Sequence, residues 1–259
     1  MTDALDMTGR VVLVTGGTKG VGRGIVDRFA AAGATVVTCA RRPPAAPIPG
    51  ADVLACDVRE AEQVQALVDE VVARHGRLDV AVNNAGGSPP VPAADASPRF
   101  AESIIRLNLI GALHVCHAAH AVMRTQPEGG SIVNLTSLSG LRPSPDTHAY
   151  GAAKAGLLNL TQTLAMEWAP AVRVNAVCPG PVLTEQAALF YGDEAGVARV
   201  AATIPMGRLA TPRDVGDACL YLASPLSAYV TGTNLLVHGG GERPPYLDAS
   251  GRDRPEGAG

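Results

Sequence analysis

Tyr150 and Lys154 stand four residues apart in YGAAK, inside an Ala-rich pattern that predicts a helix over 148–168. At that spacing a phenol and an ammonium share one helix face, a turn apart. A free phenol titrates near ~10 and exchanges protons poorly at neutral pH, but nearby positive charge favours phenolate and draws that value toward the working range. The pair is therefore suited to general acid/base chemistry at a substrate oxygen, with Lys154 as the electrostatic partner of Tyr150.

A second group of residues is suited to holding a ligand. Residues 11–22 read VVLVTGGTKGVG, an apolar run that opens into glycines. Gly16, Gly20 and Gly22 would let backbone approach a pyrophosphate, with helix N-terminal amides directly behind it, although the spacing departs from a literal GxGxxG. After the second apolar run comes CARRP. An acid at this place would bond a ribose 2′-hydroxyl, whereas Arg41 and Arg42, with Lys19 in the glycine loop, are suited to a 2′-phosphate. NADP(H) is the favoured cofactor and NAD(H) the alternative.

These residues need a scaffold, and the chain outlines one. Short β-branched runs recur at 11–15, 35–39, 52–56, 78–82, 131–136, 172–177 and 234–238. They lack polar alternation, which predicts fully buried parallel strands. Helical patterns lie between them at 20–32, 60–75, 99–124, 148–168 and 212–223. Strand and helix in alternation predict an α/β fold, a doubly wound sheet with right-handed crossovers. Residues 41–50, RRPPAAPIPG, form a Pro-rich loop at the carboxyl edge of the sheet, where ligands of such folds bind.

Composition narrows the function classes. The 259 residues are 47% hydrophobic and 17% charged with net charge −3, which fits one large domain and provides no basic field for nucleic acid or an anionic membrane. Five cysteines, odd in number and widely spaced, read as reduced core thiols. No signal-like segment opens the sequence and no apolar run nears the ~20 residues of a membrane span, so a soluble cytoplasmic protein is expected. His114, His117 and His120 share a broad helix face, but no carboxylate follows at ligand spacing and no metal is expected. Trp168 and the few other aromatics are expected in the core.

Thr15, Gly16, Gly20 and Gly22 in TGxxxGxG, NNAG at 83–86 and YGAAK follow one another in an order and spacing that resembles the short-chain dehydrogenase/reductase family, over roughly residues 11–240. The resemblance implies a single-domain Rossmann-type sheet of about seven strands with helices on both faces, spanning 1–240, with a substrate lid near 185–206. Residues 241–259 would form a tail whose last dozen residues are disordered. It places Thr18, Lys19 and Val21 with the glycines in the cofactor loop, Asp57 on the adenine amino group beside the Val58 backbone, and Asn84, Ala85 and Gly86 along the adenosine. Pro179 and Gly180 would form a turn, with the Val182 backbone and Thr184 on the nicotinamide carboxamide.

Ser137 lies thirteen residues before Tyr150, the family interval, and would hold the substrate oxygen; Thr136 and Ser139 are its neighbours and rivals. Asn108, an unfavourable residue inside a helix, would hold through its side chain a water linking Lys154 to solvent. The implied activity is hydride transfer between NADP(H) and a carbonyl or secondary alcohol, ketone reduction being the favoured direction. An NAD(H)-preferring alcohol dehydrogenase and a non-catalytic dinucleotide sensor are the alternatives. Leu189, Phe190 and Tyr191 would either make the lid partly apolar, which suits a hydrophobic alcohol or ketone, or pack against the body of the fold. The resemblance also implies a homotetramer or homodimer, with interface from helices near 104–123 and 150–166.

Overall fold

The computed structural model describes residues 4–250. Seven strands make one parallel sheet: β1 (Val11–Thr15), β2 (Thr35–Ala40), β3 (Asp52–Ala55), β4 (Val80–Asn83), β5 (Gly130–Leu135), β6 (Val172–Pro179) and β7 (Asn234–Val237). Their order is β3-β2-β1-β4-β5-β6-β7. The chain winds outward from β1 to one edge and then, from β4, to the other. The direction of winding reverses between β1 and β4, where Val12 stands opposite Val80 and Val14 opposite Val82. A ligand crevice opens at such a reversal, beyond the carboxyl ends of the strands.

Successive β1 residues serve two cores. Val11 and Leu13 pack with Val37, Ala81, Ile132 and Val174 under α2 (Ala61–His75), α4 (Gly111–Met123) and α5 (His148–Trp168). Val12 and Val14 pack with Val36, Val82, Val133 and Val177 under α1 (Gly20–Ala31) and α8 (Pro212–Ala223). All five β1 residues are therefore buried, which explains the missing alternation. The edge strands depart from the expected full burial: β3 and β7 are each half-exposed, having a neighbouring strand on one side only.

The pattern over 99–124 divides into three pieces. α3 (Pro98–Ile105) is capped by Ser97, whose hydroxyl accepts from Phe100 N, and leads into a π-helical turn, Arg106–Ile110, before α4. Gly111 N donates to Arg106 O, five residues back. The lid region folds as α6 (Ala188–Tyr191) and α7 (Glu194–Thr203), and α9 (Pro245–Ala249) follows β7. The disorder expected for the last dozen residues falls mostly on 251–259, outside the described residues. The five cysteines are free and buried. No helix among the described residues is long and apolar enough to cross a membrane.

Candidate active site

The carboxyl ends of β1 and β4 are tied together by side chains. Thr15 Oγ1 accepts from the backbone N–H groups of Asn84 and Ala85, each at 3.0 Å. Asn84 Nδ2 donates back to Thr15 O at 2.9 Å and Gly16 O at 3.1 Å. The glycine turn is thereby fixed to the strand end across the crevice. Gly16 (φ 66°) and Gly20 (φ 55°) take left-handed backbone that other residues resist. Gly22 has no room for a side chain, since a Cβ would collide with Gly16 O and the Asn84 amide. Lys19 begins α1 without a side-chain cap. The first amides of α1 thus lack an internal acceptor, the arrangement a pyrophosphate requires.

From this turn runs a groove of about 510 Å³. It is bordered by Gly16, Thr18, Lys19, Gly20, Val21 and Gly22 at the turn, by Arg41, Arg42, Asp57 and Val58 past β2 and β3, and by Asn84, Ala85 and Gly86 past β4. Tyr150, Lys154, Pro179 and Thr184 close its far end. Gly180 and Val182 do not border it: Gly180 packs on His238, and Val182 bridges to Ala210. Cys39, Cys56, Gly87, Leu107, Leu135, Glu185 and Gln186 do border it, although no chemistry in their types marks them. Cys39 and Leu135 lie at the carboxyl ends of β2 and β5, Cys56 and Gly87 follow β3 and β4, and Glu185 and Gln186 follow β6. Only Leu107, in the π turn, stands away from a strand end, so position at strand ends would have found most of them.

Arg41 and Arg42 are exposed where the groove passes the end of β2. Asp57 is gripped by Arg59, whose Nε lies 2.9 and 3.1 Å from its two carboxylate oxygens. That hydrogen bonding holds the carboxyl below its usual value, and the Arg41 charge adds to the effect. Val58 O accepts from or faces His114 Nδ1 at 3.2 Å.

At the other end, Lys154 is 4% exposed and its Nζ donates to Leu135 O at 2.7 Å. Burial pushes its ammonium down to about 8. Nζ lies 5.5 Å from the centre of the Tyr150 ring. The protein's own groups raise the Tyr150 phenol rather than lower it, burial outweighing the Ser137 hydroxyl that faces it. The lowering expected from Lys154 is therefore not expressed by the chain alone, because desolvation opposes the phenolate.

Of the three hydroxyls near Tyr150, Thr136 is committed elsewhere, donating to Val177 O at 3.2 Å and Asn234 Oδ1 at 3.0 Å. Ser139 accepts from Ser144 Oγ at 3.0 Å. Ser137 is the one that meets the phenol, and it accepts from Ser139 N at 3.2 Å. Asn108 stands behind the groove at 1% exposure, in the π turn. Its Nδ2 donates to Gly87 O and Ile104 O, both at 2.9 Å, and its Oδ1 accepts from Gly87 N at 2.8 Å. The side chain clamps the loop after β4 and retains one Oδ1 lone pair for a further donor.

Several expected placements change. Leu189 and Phe190 point outward, 71% and 54% exposed, and only Tyr191 turns partly in, so α6 gives the cleft no apolar wall. Among aromatics Phe29 is fully buried and Trp168 is partly buried, packed against the core and stacked on His120 at 4.1 Å, whereas Tyr229 is wholly exposed. The Trp168 ring also lies 6.1 Å from that of His117, on α4.

Comparisons with known proteins bear on the family and the fold. A family model described as Enoyl-(Acyl carrier protein) reductase matches residues 16–242. The chain is 36% identical over 253 residues to an L-fucose dehydrogenase of Oryctolagus cuniculus, covering 93% of this chain and 88% of that protein. It is 37% identical over 256 residues to an uncharacterized short-chain type dehydrogenase/reductase of Sinorhizobium fredii, a longer protein of which it spans 45%. The solved ligand-free structure of Thermoplasma acidophilum aldohexose dehydrogenase superposes with a TM-score of 0.86 at 32% identity, covering 91% of this chain and 94% of that one.

Proposed function

Because the chain belongs to the short-chain dehydrogenase/reductase family, oxidoreductases that act on alcohols and carbonyls with a nicotinamide dinucleotide, we propose that it uses NADP(H) and exchanges a proton at the substrate oxygen through Tyr150. The observation that carries the reading is the continuity of one groove, with Tyr150 and Lys154 at one end and Arg41 and Arg42 at the other. The uncapped start of α1 between them fits the pyrophosphate. Arg41 and Arg42 suit a 2′-phosphate, and no carboxylate takes the place after β2 that would repel it.

Bound nicotinamide supplies or accepts the hydride. Tyr150 gives a proton to the substrate oxygen in reduction and takes it in oxidation. Ser137 holds that oxygen in place. Lys154, fixed by Leu135 O, keeps positive charge beside the phenol, and Asn108 secures the loop after β4 on which the Lys154 end of the groove is built. The spare Oδ1 lone pair of Asn108 supports a water contact there.

Replacing Tyr150 with Phe is expected to lower kcat by roughly 10²- to 10⁴-fold, the range for losing a positioned acid or base, while NADPH still binds. Stopped turnover with retained fluorescence on NADPH titration supports the role; retained turnover removes Tyr150 from the mechanism. Changing Arg41 and Arg42 together to Ser is expected to weaken NADPH far more than NADH. Equal loss of both in parallel titrations would reject the phosphate reading.

A further inference from the structure

Of the free cysteines, Cys39 and Cys56 border the groove, whereas Cys116, Cys178 and Cys219 do not. Cys39 is the next-to-last residue of β2 and stands opposite Leu54 on β3. Alternate residues of a strand share a face, so Cys56, two places beyond Leu54 and just past the end of β3, returns to the face of Cys39. Both enter the core that holds Leu13, Val37 and Val58. The two thiols are thus diagonal neighbours across one strand pair, 1% and 3% exposed, and what opens beside both of them is the groove. The Cys39 thiol faces the Cys56 sulfur; this contact lowers the Cys56 thiol and, with burial, holds the Cys39 thiol well above its usual value.

The backbone couples the pair to the ligand-holding parts. Cys39 O accepts from Gly16 N at 3.0 Å, which seats the glycine turn on β2. Cys56 N donates to Ala40 O at 3.1 Å, and the next residue is Asp57. Arg41 and Arg42 begin two residues beyond Cys39. A disulfide needs Cα atoms within about 7 Å, whereas diagonal neighbours on adjacent strands stand about 7–8 Å apart. Joining these sulfurs therefore pulls the ends of β2 and β3 toward each other. β3 can yield, being a four-residue edge strand with β2 as its single neighbour. The pull falls on Gly16, Arg41 and Asp57, so the bridged form loses the shape of the groove.

Resting on the dinucleotide reading of that groove, we propose that Cys39 and Cys56 are a redox-modified site: a peroxide reaching them through the groove closes a disulfide that excludes NADP(H), and bound NADP(H) shields the pair. The Cys56 thiolate attacks one peroxide oxygen and the O–O bond breaks. A sulfenic acid forms, while the departing oxygen takes up a proton as water or an alcohol. The Cys39 sulfur then attacks the Cys56 sulfur, displacing hydroxide that leaves as water with the Cys39 proton. The two thiols lose two electrons in all, and the peroxide gains them. A bridge under such strain is readily reduced, so a thiol reductant restores the groove.

The test treats the full chain with hydrogen peroxide, with and without saturating NADP⁺, and then with dithiothreitol. NADPH affinity is followed by fluorescence titration and cysteine pairing by peptide mass mapping. Peroxide alone should give a Cys39–Cys56 disulfide and raise the NADPH Kd at least roughly tenfold, with recovery on dithiothreitol and no disulfide in the NADP⁺-treated sample. Cys56→Ser, compared with its own untreated form, should keep its affinity within about twofold after peroxide, since the attacking thiolate is gone. Both thiols still free in the peroxide-treated wild type would overturn the proposal. So would affinity lost without this disulfide, or this disulfide with affinity unchanged. Failure of the reduced wild type to bind either NADPH or NADH defeats the dinucleotide reading instead, and the mass map still reports whether the bridge forms.

Discussion

At the scale of single residues, Lys154 is the costly one. A buried ammonium that titrates at about 8, against an ordinary 10.5, disfavours the fold wherever it is charged. Between those values the unfolded chain binds more protons than the native one, so native stability rises with pH across that window. Lys154→Met removes the cost, up to ~3 kcal/mol below pH 8 less about 1 kcal/mol for the orphaned Leu135 carbonyl. The variant is expected to be inactive yet to melt higher than wild type at pH 7, with the gap closing as pH climbs from 8 toward 10.5. Calorimetry across that range checks it, and a lower melting point at pH 7 would contradict the burial argument. Tyr150 sharpens the point: its phenol is raised by the same desolvation, so the chain holds both partners in their uncharged-leaning states.

At the scale of elements, the glycine turn has the tightest tolerance. Gly22→Ala would push a methyl into Gly16 O and the Asn84 amide, breaking the tie between β1 and β4. The expected cost is about 1–3 kcal/mol, with dinucleotide affinity lost before the fold is. A denaturant midpoint lowered together with failed NADPH binding would bear this out; unchanged binding would show that the turn adjusts. This element was legible in the sequence because glycine spacing reports backbone geometry directly. α8 was legible to the residue, since its start carries a local signal, the Thr211–Asp214 capping box with Pro212 behind it, whereas α5 was legible from its long Ala-rich pattern. The π turn was legible only as an unfavourable Asn108 inside a helical pattern, because its extra residue goes with a tertiary contact, Asn108 holding Gly87, that no local spacing reports. The outward turn of Leu189 and Phe190 was not legible, since tertiary placement overrides hydropathy there. An ion pair between Arg142 and Glu242 joins residues a hundred positions apart, and no local pattern announces such a contact.

At the scale of the whole molecule, the end of the sheet opposite the groove is fastened by charge. Asp79, only 6% exposed at its side chain, accepts from Val11 N at 2.8 Å, Arg10 Nη1 at 3.1 Å and Arg77 Nε at 2.9 Å. Glu128, just before β5, joins both arginines, so β1, β4 and β5 start from one network. Arg77, with the Val11 amide and Arg10, holds the Asp79 carboxyl below its usual value despite burial. Its contribution is therefore present above the ordinary carboxylate range and is lost as pH falls through the lowered folded value. Asp79→Asn is expected to cost roughly 2–4 kcal/mol at pH 7 and to flatten the acid limb of a stability profile. An unaltered acid limb in urea titrations would rule the network out as its source. The sheet order carries a last consequence, for synthesis. β1 emerges early, yet one of its two flanks is β4, whose first paired residue lies 68 positions beyond Val12. Until that segment leaves the ribosome, the glycine turn has an unzipped seam beside it, so nascent-chain arrest before residue 80 should leave a protease-sensitive, chaperone-bound intermediate.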